Sequence, residues 1–326
     1  MNSAVCTLYE GNYHLGVAGL TNSLYKNGFR GSIYVGFKGA LPPWASLAKE
    51  NALLQWDGNK TLQVAEGLQL HFLPIHSDYS LTNYKPDFML RLWDGPAADM
   101  DNLFYFDPDI VIVRNWLVFE EWVNCGVAVS EDVNSPLAMQ HPRRVAWRSY
   151  FGEKGIALNF KEGFYVNGGF IGLTKKNRQF LKTWINIQET MAPLIGGLNQ
   201  SIFSRTPLTS LLKTAGGPFM PFFKTDQDAL NAAIEACDQE ISFIGKDGMG
   251  FENGFVLMHH AVGRMKPWAW KPFLQSWKGR PPRKVDIEFW NSMNGPVIAF
   301  PAKTVSNKKR AMKISSAIGR FYKKQL

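Results

Sequence analysis

Cysteine is scarce in this chain. The 326 residues hold three, Cys6, Cys125 and Cys237, far apart and odd in number. That excludes a disulfide framework and matches no zinc-ligand spacing. It suits a reducing compartment, in which the three are inert packing residues. No apolar run approaches the ~18 residues of a membrane-spanning helix. Met1 to Glu10 shows neither a basic n-region nor an apolar h-region, so no secretory signal is read and a cytoplasmic location is expected. Internal repeats and low-complexity segments are missing too. Hydrophobic residues make up 45% and aromatics 13%, enough to build the core of one large α/β domain or two fused halves.

Acid is missing from the C-terminal end. Lys303 to Leu326 carries eight basic residues (Lys303, Lys308, Lys309, Arg310, Lys313, Arg320, Lys323 and Lys324) and no Asp or Glu. These account for nearly all of the formal net charge of +9, so the rest of the chain is close to neutral. Ala311, Ile314, Ile318 and Phe321 recur at helical spacing. A basic amphipathic helix with an aromatic reads as an element drawn to anionic lipid headgroups. A solvated tail, or a helix that docks its stripe on the body, are the alternatives. No nucleic-acid motif accompanies the charge, so no nucleic-acid partner is expected.

What is present is a pair of acids in an unusual place. Leu103-Phe104-Tyr105-Phe106 reads as a buried strand, and Asp107-Pro108-Asp109 separates it from the apolar run Ile110 to Val113. Two carboxylates at the end of a buried strand are costly unless neutralised. A divalent cation does this well, because carboxylate oxygens are hard ligands suited to magnesium or manganese. D-x-D after a hydrophobic strand is a signature of enzymes that hold a nucleotide-sugar diphosphate through a metal. A polar surface turn built on Pro108 is the alternative. Far downstream, the run His260-x-x-Gly263-x-x-Lys266-Pro267-Trp268 offers an imidazole for a transition metal, a glycine that admits backbone close to a ligand and a lysine for phosphate.

The remaining pattern alternates strand and helix. Strands are expected at residues 3–9, 32–37, 69–74, 103–106, 126–130, 164–173 and 254–258, with helices at 13–27, 85–94, 177–187 and 226–237. Such alternation predicts a doubly wound, mostly parallel sheet flanked by helices, whose ligands bind beyond the carboxyl ends of the strands. Residues 192–223, rich in Gly, Pro and Phe, read as a loop or lid. Trp268, Trp270, Trp277 and Trp290 serve either stacking against a sugar or core packing.

With these windows in view, the chain resembles glycosyltransferase family 8 and its relatives, which include glycogenin and bacterial lipopolysaccharide galactosyl- and glucosyltransferases. The resemblance rests on Ala4 to Gly16, on Tyr105 to Asp109, on Tyr165 to Leu173 with Asp226 to Asn231, and on His260 to Trp268. In order and rough spacing these span most of residues 1–275. The resemblance implies a GT-A fold, with residues 1–275 as the transferase domain (1–115 the nucleotide-binding half, 116–275 the acceptor half) and 276–326 as a basic extension. It further implies a metal-dependent, retaining hexosyltransferase. Such an enzyme moves sugar from a nucleotide-sugar, expected to be a UDP-sugar, to a saccharide or lipid-linked acceptor in surface polysaccharide or lipopolysaccharide synthesis. An acceptor at the inner face of the plasma membrane would give the basic tail a use.

Residue roles follow from the same resemblance. Asp107, Asp109 and His260 match the metal ligands, holding Mn2+ or Mg2+. Thr7, Tyr9 and Asn12 fall where the base and ribose bind, and Gly263 and Lys266 where the diphosphate lies. Arg91, with Lys85 as the alternative, matches a donor-contacting cation. Asn167, Gly168 and Gly169 resemble the sugar-side loop, and Asp226 and Gln227 the pair beside the anomeric carbon. Glu131 and Asp132 either hold donor hydroxyls or form a solvated acidic turn. The chain departs from the family at Pro108, where a small residue is usual, and in a first loop that lacks an acidic pair and offers only Glu10. Two other functions fit the composition. A nucleotidyltransferase on a similar sheet would carry a glycine-rich basic loop after strand one, which Leu8 to Tyr13 is not. A non-catalytic membrane-surface module would have no need of the intact Asp107, Asp109, His260 and Lys266.

Overall fold

The structure, a computed structural model, describes residues 2–201 and 221–319. Most of the expected lid, residues 202–220, lies outside the described residues, as do Phe321 and the last three bases of the tail.

The first strand, β1 (Ser3–Glu10), is buried along all but its last residue. Ala4, Cys6 and Leu8 enter one hydrophobic core, and Val5 and Tyr9 enter another. Successive side chains point to opposite faces, and both faces are covered, so the strand reads as a continuous apolar run rather than an alternation. Helix α1 (His14–Lys26) follows. Then come β2 (Gly31–Lys38), β3 (Lys60–Ala65), β4 (Leu68–Pro74), α2 (Lys85–Trp93), β5 (Asn102–Phe106) and β6 (Ile110–Ile112). The second half holds α3 (Leu117–Trp122), β7 (Val127–Ser130), α4 (Pro142–Gly152), β8 (Phe170–Thr174) and α5 (Gln179–Ile195). It continues with α6 (Thr225–Ala236), β9 (Ile241–Ile244) and β10 (Met258–His260). Among the described residues the chain closes with α7 (Pro272–Trp277), α8 (Lys284–Ser292) and α9 (Ala302–Gly319).

Eight strands form one sheet in the order β3-β4-β2-β1-β5-β8-β7-β9. The β4-β2-β1-β5 centre and the β7-β9 pair are parallel, whereas β3 against β4, and β8 against both β5 and β7, are antiparallel. This is the mixed, mostly parallel α/β sheet expected. Cys6 and Cys237 are buried packing residues and Cys125 is exposed, all three free.

Two expected strands come out differently. The 164–173 strand shrinks to β8, because before Phe170 only an isolated bridge of Val166 to Glu131 keeps the sheet pairing. There Asn167 hydrogen bonds across to Asp132, and Gly168 and Gly169 turn inward. The late strand shifts from 254–258 to β10. Gly254 is pressed on the Asp247 carboxylate and belongs to a turn.

The chain after residue 275 packs on the first helix. Asn22 of α1 donates to the Val297 carbonyl at 3.0 Å and accepts from the Val297 amide at 2.8 Å. A Cβ at Gly19 would strike the Phe289 ring of α8 at 2.6 Å. Trp268, Trp270 and Trp290 are buried, the last donating to the Pro267 carbonyl at 3.2 Å, while Trp277 stands exposed. The α9 helix docks through Val305, Met312 and Ser315, and Ile314 and Ile318 of the expected stripe stay exposed.

Candidate metal centre

Strand pairing assembles the site. β5 delivers Asp107 at its carboxyl end, and the chain turns at once, with the Ile110 amide donating to the Asp107 carbonyl at 3.0 Å. β6 then pairs antiparallel with β10 in a second, two-stranded sheet, placing Ile110 opposite His260. The Ala261 amide donates to the Asp109 carbonyl at 3.1 Å. The acidic turn and the start of the His260 run, 150 residues apart in sequence, are thereby stitched together by main chain. Gly16 of α1 lies against the Pro108 carbonyl, and a Cβ there would collide with it. The proline between the two acids is thus seated on the first helix.

Each acid spends one oxygen on an internal cation. Asp107 Oδ1 accepts from the Tyr105 hydroxyl at 2.8 Å and lies 3.2 Å from Lys85 Nζ. Asp109 Oδ2 lies 2.6 Å from Lys266 Nζ, which also donates to the Ala261 carbonyl at 2.8 Å. The second oxygen of each acid turns to the imidazole: His260 Nε2 is 3.8 Å from Asp107 Oδ2 and 3.4 Å from Asp109 Oδ1. The three ligand-type atoms fall within 4.8 Å of one another. Ligand atoms held ~2.1 Å from a shared octahedral ion sit about 3 Å apart at right angles and about 4 Å apart when opposed; both separations from His260 fall in that span, so the three side chains are close enough to converge on one divalent ion. Two carboxylates and an imidazole are a donor set suited to manganese or magnesium.

The far side of His260 fixes its proton. Asn167 Nδ2 donates to Asp132 Oδ2 at 2.6 Å, and Asn167 Oδ1 accepts from the Gly169 amide at 2.9 Å. The amide is therefore oriented with its oxygen toward His260 Nδ1, 3.0 Å away, so Nδ1 carries the hydrogen. Nε2 is left to face the carboxylates, as a proton donor or as a bare ligand for a cation. Gly169 must be glycine, since a Cβ would come within 2.5 Å of the imidazole and 3.0 Å of Asp107 Oδ2.

Charge is tightly managed here. Burial alone would raise the Asp109 carboxyl, but His260 and Lys266 reverse this and hold it below the usual carboxylate range. Lys85 is almost fully buried, which by itself would lower it; Asp107 and Asp226 outweigh that and keep it cationic. Its Nζ bonds Asp226 Oδ2 at 3.1 Å and the Gly168 carbonyl at 2.7 Å. The Asp226 carboxyl, by contrast, is raised, because burial and Asp107 act against the Lys85 attraction.

These groups line a cavity of about 390 Å³ beyond the carboxyl ends of β1 and β5. Tyr9, Lys85, Asp107, Asp109, Asn167, Gly168, Gly169, Asp226, Gln227, His260, Gly263 and Lys266 all border it. Thr7, Asn12 and Arg91 do not. Thr7 is buried in β1 with its hydroxyl unpartnered, Asn12 is exposed, and Arg91 donates to the Tyr84 hydroxyl at 2.6 Å and stacks on Trp56. Of the two acids after β7, Asp132 borders the cavity and Glu131 does not. Gln227 Oε1 accepts from the Gly168 amide at 3.3 Å, leaving its buried Nε2 without a partner. Gly263 holds φ +90° with open space around it, a backbone that only glycine adopts freely. Sequence reasoning missed Tyr13, whose ring lies 5.7 Å from Lys266 Nζ, Tyr105, and Lys224, which is 3.5 Å from Asp132 Oδ1. Tyr105 was the one with a visible signal: a polar ring two residues before the first acid of the pair.

No family model and no curated protein matches the sequence. Solved structures do. The galactosyltransferase LgtC, in complex with donor and acceptor sugar analogs, aligns over 94% of this chain and 99% of its own, at 15% identity and a TM-score of 0.50. An active-site mutant of LgtC aligns over 92% and 98%, at 15% identity and a TM-score of 0.51. The glycosyltransferase GlyE of Streptococcus pneumoniae TIGR4 aligns over 96% and 64%, at 16% identity and a TM-score of 0.48. The fold of this chain is that of the GT-A glycosyltransferases.

Proposed function

We propose that this protein is a metal-dependent, retaining glycosyltransferase that takes a hexose from a nucleotide-sugar, a UDP-sugar in the leading reading, and passes it to a saccharide or lipid-linked acceptor in surface polysaccharide or lipopolysaccharide synthesis. The observation that carries the reading is the inward-turned trio of Asp107 Oδ2, Asp109 Oδ1 and His260 Nε2 at the mouth of a cavity that also holds Lys266. LgtC, which shares the fold, was solved with donor and acceptor sugar analogs. A bound divalent ion would supply electrostatic relief for the charge that builds on a departing diphosphate.

The chain's own residues have the following parts. Asp107, Asp109 and His260 would hold the ion, with Asn167 setting the imidazole tautomer. Lys266 and the backbone at Gly263 receive the diphosphate. Tyr9 and Tyr13 border the base side, and Gln227 offers its free Nε2–H to the donor sugar. Asp226, kept beside the sugar by Lys85, stabilises positive charge near the anomeric carbon. Retention of configuration is carried by the resemblance alone, and in it the leaving diphosphate accepts the acceptor's proton. Residues 1–275 form the transferase unit in this reading, and the basic stretch 303–326 draws the enzyme to the inner face of the plasma membrane, where a lipid-linked acceptor would lie. No helix among the described residues is long and apolar enough to cross a membrane.

Thermal denaturation with UDP, GDP and CDP, each with and without manganese, tests the reading. UDP should raise the melting temperature only when manganese is present, by several degrees at saturating ligand. No response to any nucleotide would remove the transferase reading and leave a binding module; an equal, metal-free response to all three would remove the metal site.

A further inference from the structure

Three exposed apolar side chains of the C-terminal third stand together on one short helix. Trp277 is 85% exposed, Phe273 53% and Leu274 48%, while Pro272, Gln275 and Ser276 form the buried side of α7. Leaving an indole in water forgoes a large apolar burial, and a helix that presents two rings and a leucine together forms a patch rather than scattered exposure. The neighbouring α9 adds Ile314 and Ile318. The two helices are joined where Ser276 donates to the Ser315 carbonyl at 3.3 Å, and Gly319 lies against Pro281. Trp277, Ile314 and Ile318 thus flank one contact, within a turn of it.

Charge identifies what this surface meets. Lys271, Lys278, Arg280, Arg310 and Lys313 are exposed on and beside the same two helices. From Asn253 to Leu326 the sequence holds fifteen Lys and Arg against two acids, Asp286 and Glu288. A second copy of the chain would bring like charge to like charge. A soluble anion would account for the bases and leave the rings unused. Aromatic and aliphatic side chains ringed by bases match the headgroup boundary of an anionic bilayer, where indole rings settle at the interface and bases meet lipid phosphates.

We propose that α7 and α9 together form a membrane-docking surface, in which Phe273, Leu274 and Trp277 enter the headgroup–acyl boundary of an anionic leaflet and the flanking bases grip its phosphates. The apolar anchor is therefore α7, ahead of the basic tail, and α9 is the electrostatic partner fixed on the body rather than a free arm. Pro272 begins α7 six residues after Lys266, so docking holds the membrane close in sequence to the phosphate end of the candidate site. This deepens the membrane part of the proposed function.

The test uses the full chain without nucleotide or metal, so it can fail while the transferase reading stands. The protein is sedimented with vesicles of phosphatidylglycerol and phosphatidylcholine, and with phosphatidylcholine alone. Wild type should partition onto the mixed vesicles and not the neutral ones. F273S/W277S should lower the partition at least tenfold at unchanged melting temperature, and K278E/R280E should lower it and flatten its salt dependence. A wild-type chain that ignores anionic vesicles would overturn the proposal. So would an F273S/W277S chain that binds as wild type does, which would assign binding to the tail alone. So would an F273S/W277S chain that keeps its vesicle binding but loses self-association, which would make the face a protein interface.

Discussion

Replacing Asp109 by asparagine should reduce sugar transfer and metal-dependent nucleotide affinity by at least ~10²–10³-fold while leaving the melting temperature within a few degrees of wild type. The proposed metal site has two anionic donors, and Asp109 Oδ1 is the one closer to His260. An amide at this position removes half of the negative charge that holds a divalent ion. It also frees Lys266, whose Nζ sits 2.6 Å from Asp109 Oδ2. The fold tolerates the change because the main-chain bond from Ala261 to the Asp109 carbonyl is untouched and because Lys266 keeps the Ala261 carbonyl as an acceptor, which confines the loss of its carboxylate partner to the site. Calorimetric titration of manganese and UDP, together with turnover, reads the effect. Unchanged turnover would remove this trio from the mechanism.

Lys85 should give the largest stability loss. Its ammonium is almost fully buried and neutralises Asp107 and Asp226 together. Lys85→Met keeps the volume and deletes the charge. It leaves the Asp107 and Asp226 carboxylates without their shared cation at the wall of the cavity, and breaking a buried pair in this way costs about 3–5 kcal/mol, less where Asp107 is partly exposed. Asp226→Asn in the same chain should recover more than half of that loss, since one unpaired charge is then gone. Urea denaturation of both single variants and the double variant gives the coupling energy. Strictly additive losses would show that Lys85 is held by packing and not by these two acids. The double variant should recover stability without recovering activity, which separates the structural part of Lys85 from any part Asp226 plays beside the sugar.

How legible the site was follows from what each residue's role depends on. The strands β1, β2, β4 and β5 read correctly because each is an apolar run between turn residues, and covering both faces leaves that run unbroken. That Asp107, Asp109, His260 and Lys266 would meet could be anticipated because two acids after a buried strand call for a neutralising partner. The β6–β10 ribbon that joins them could not, since three-residue strands carry no period. Lys85 was read only as the alternative to Arg91 for a donor-contacting cation, and its burial exists only once the Gly168 loop and the start of α6 close over it. Arg91 had the better spacing, yet α2 turns it toward Trp56 instead. The α9 stripe illustrates the same limit. Periodicity found a helix and its apolar residues, but Val305 and Met312 won the packed side, leaving Ile314 and Ile318 outward.

Crystals grown with manganese and UDP, with data collected at the manganese absorption edge, test the central claim. The account predicts one strong anomalous peak bounded by Asp107 Oδ2, Asp109 Oδ1 and His260 Nε2, with diphosphate density between it and Lys266. Bound nucleotide with no anomalous signal among those three atoms would contradict it.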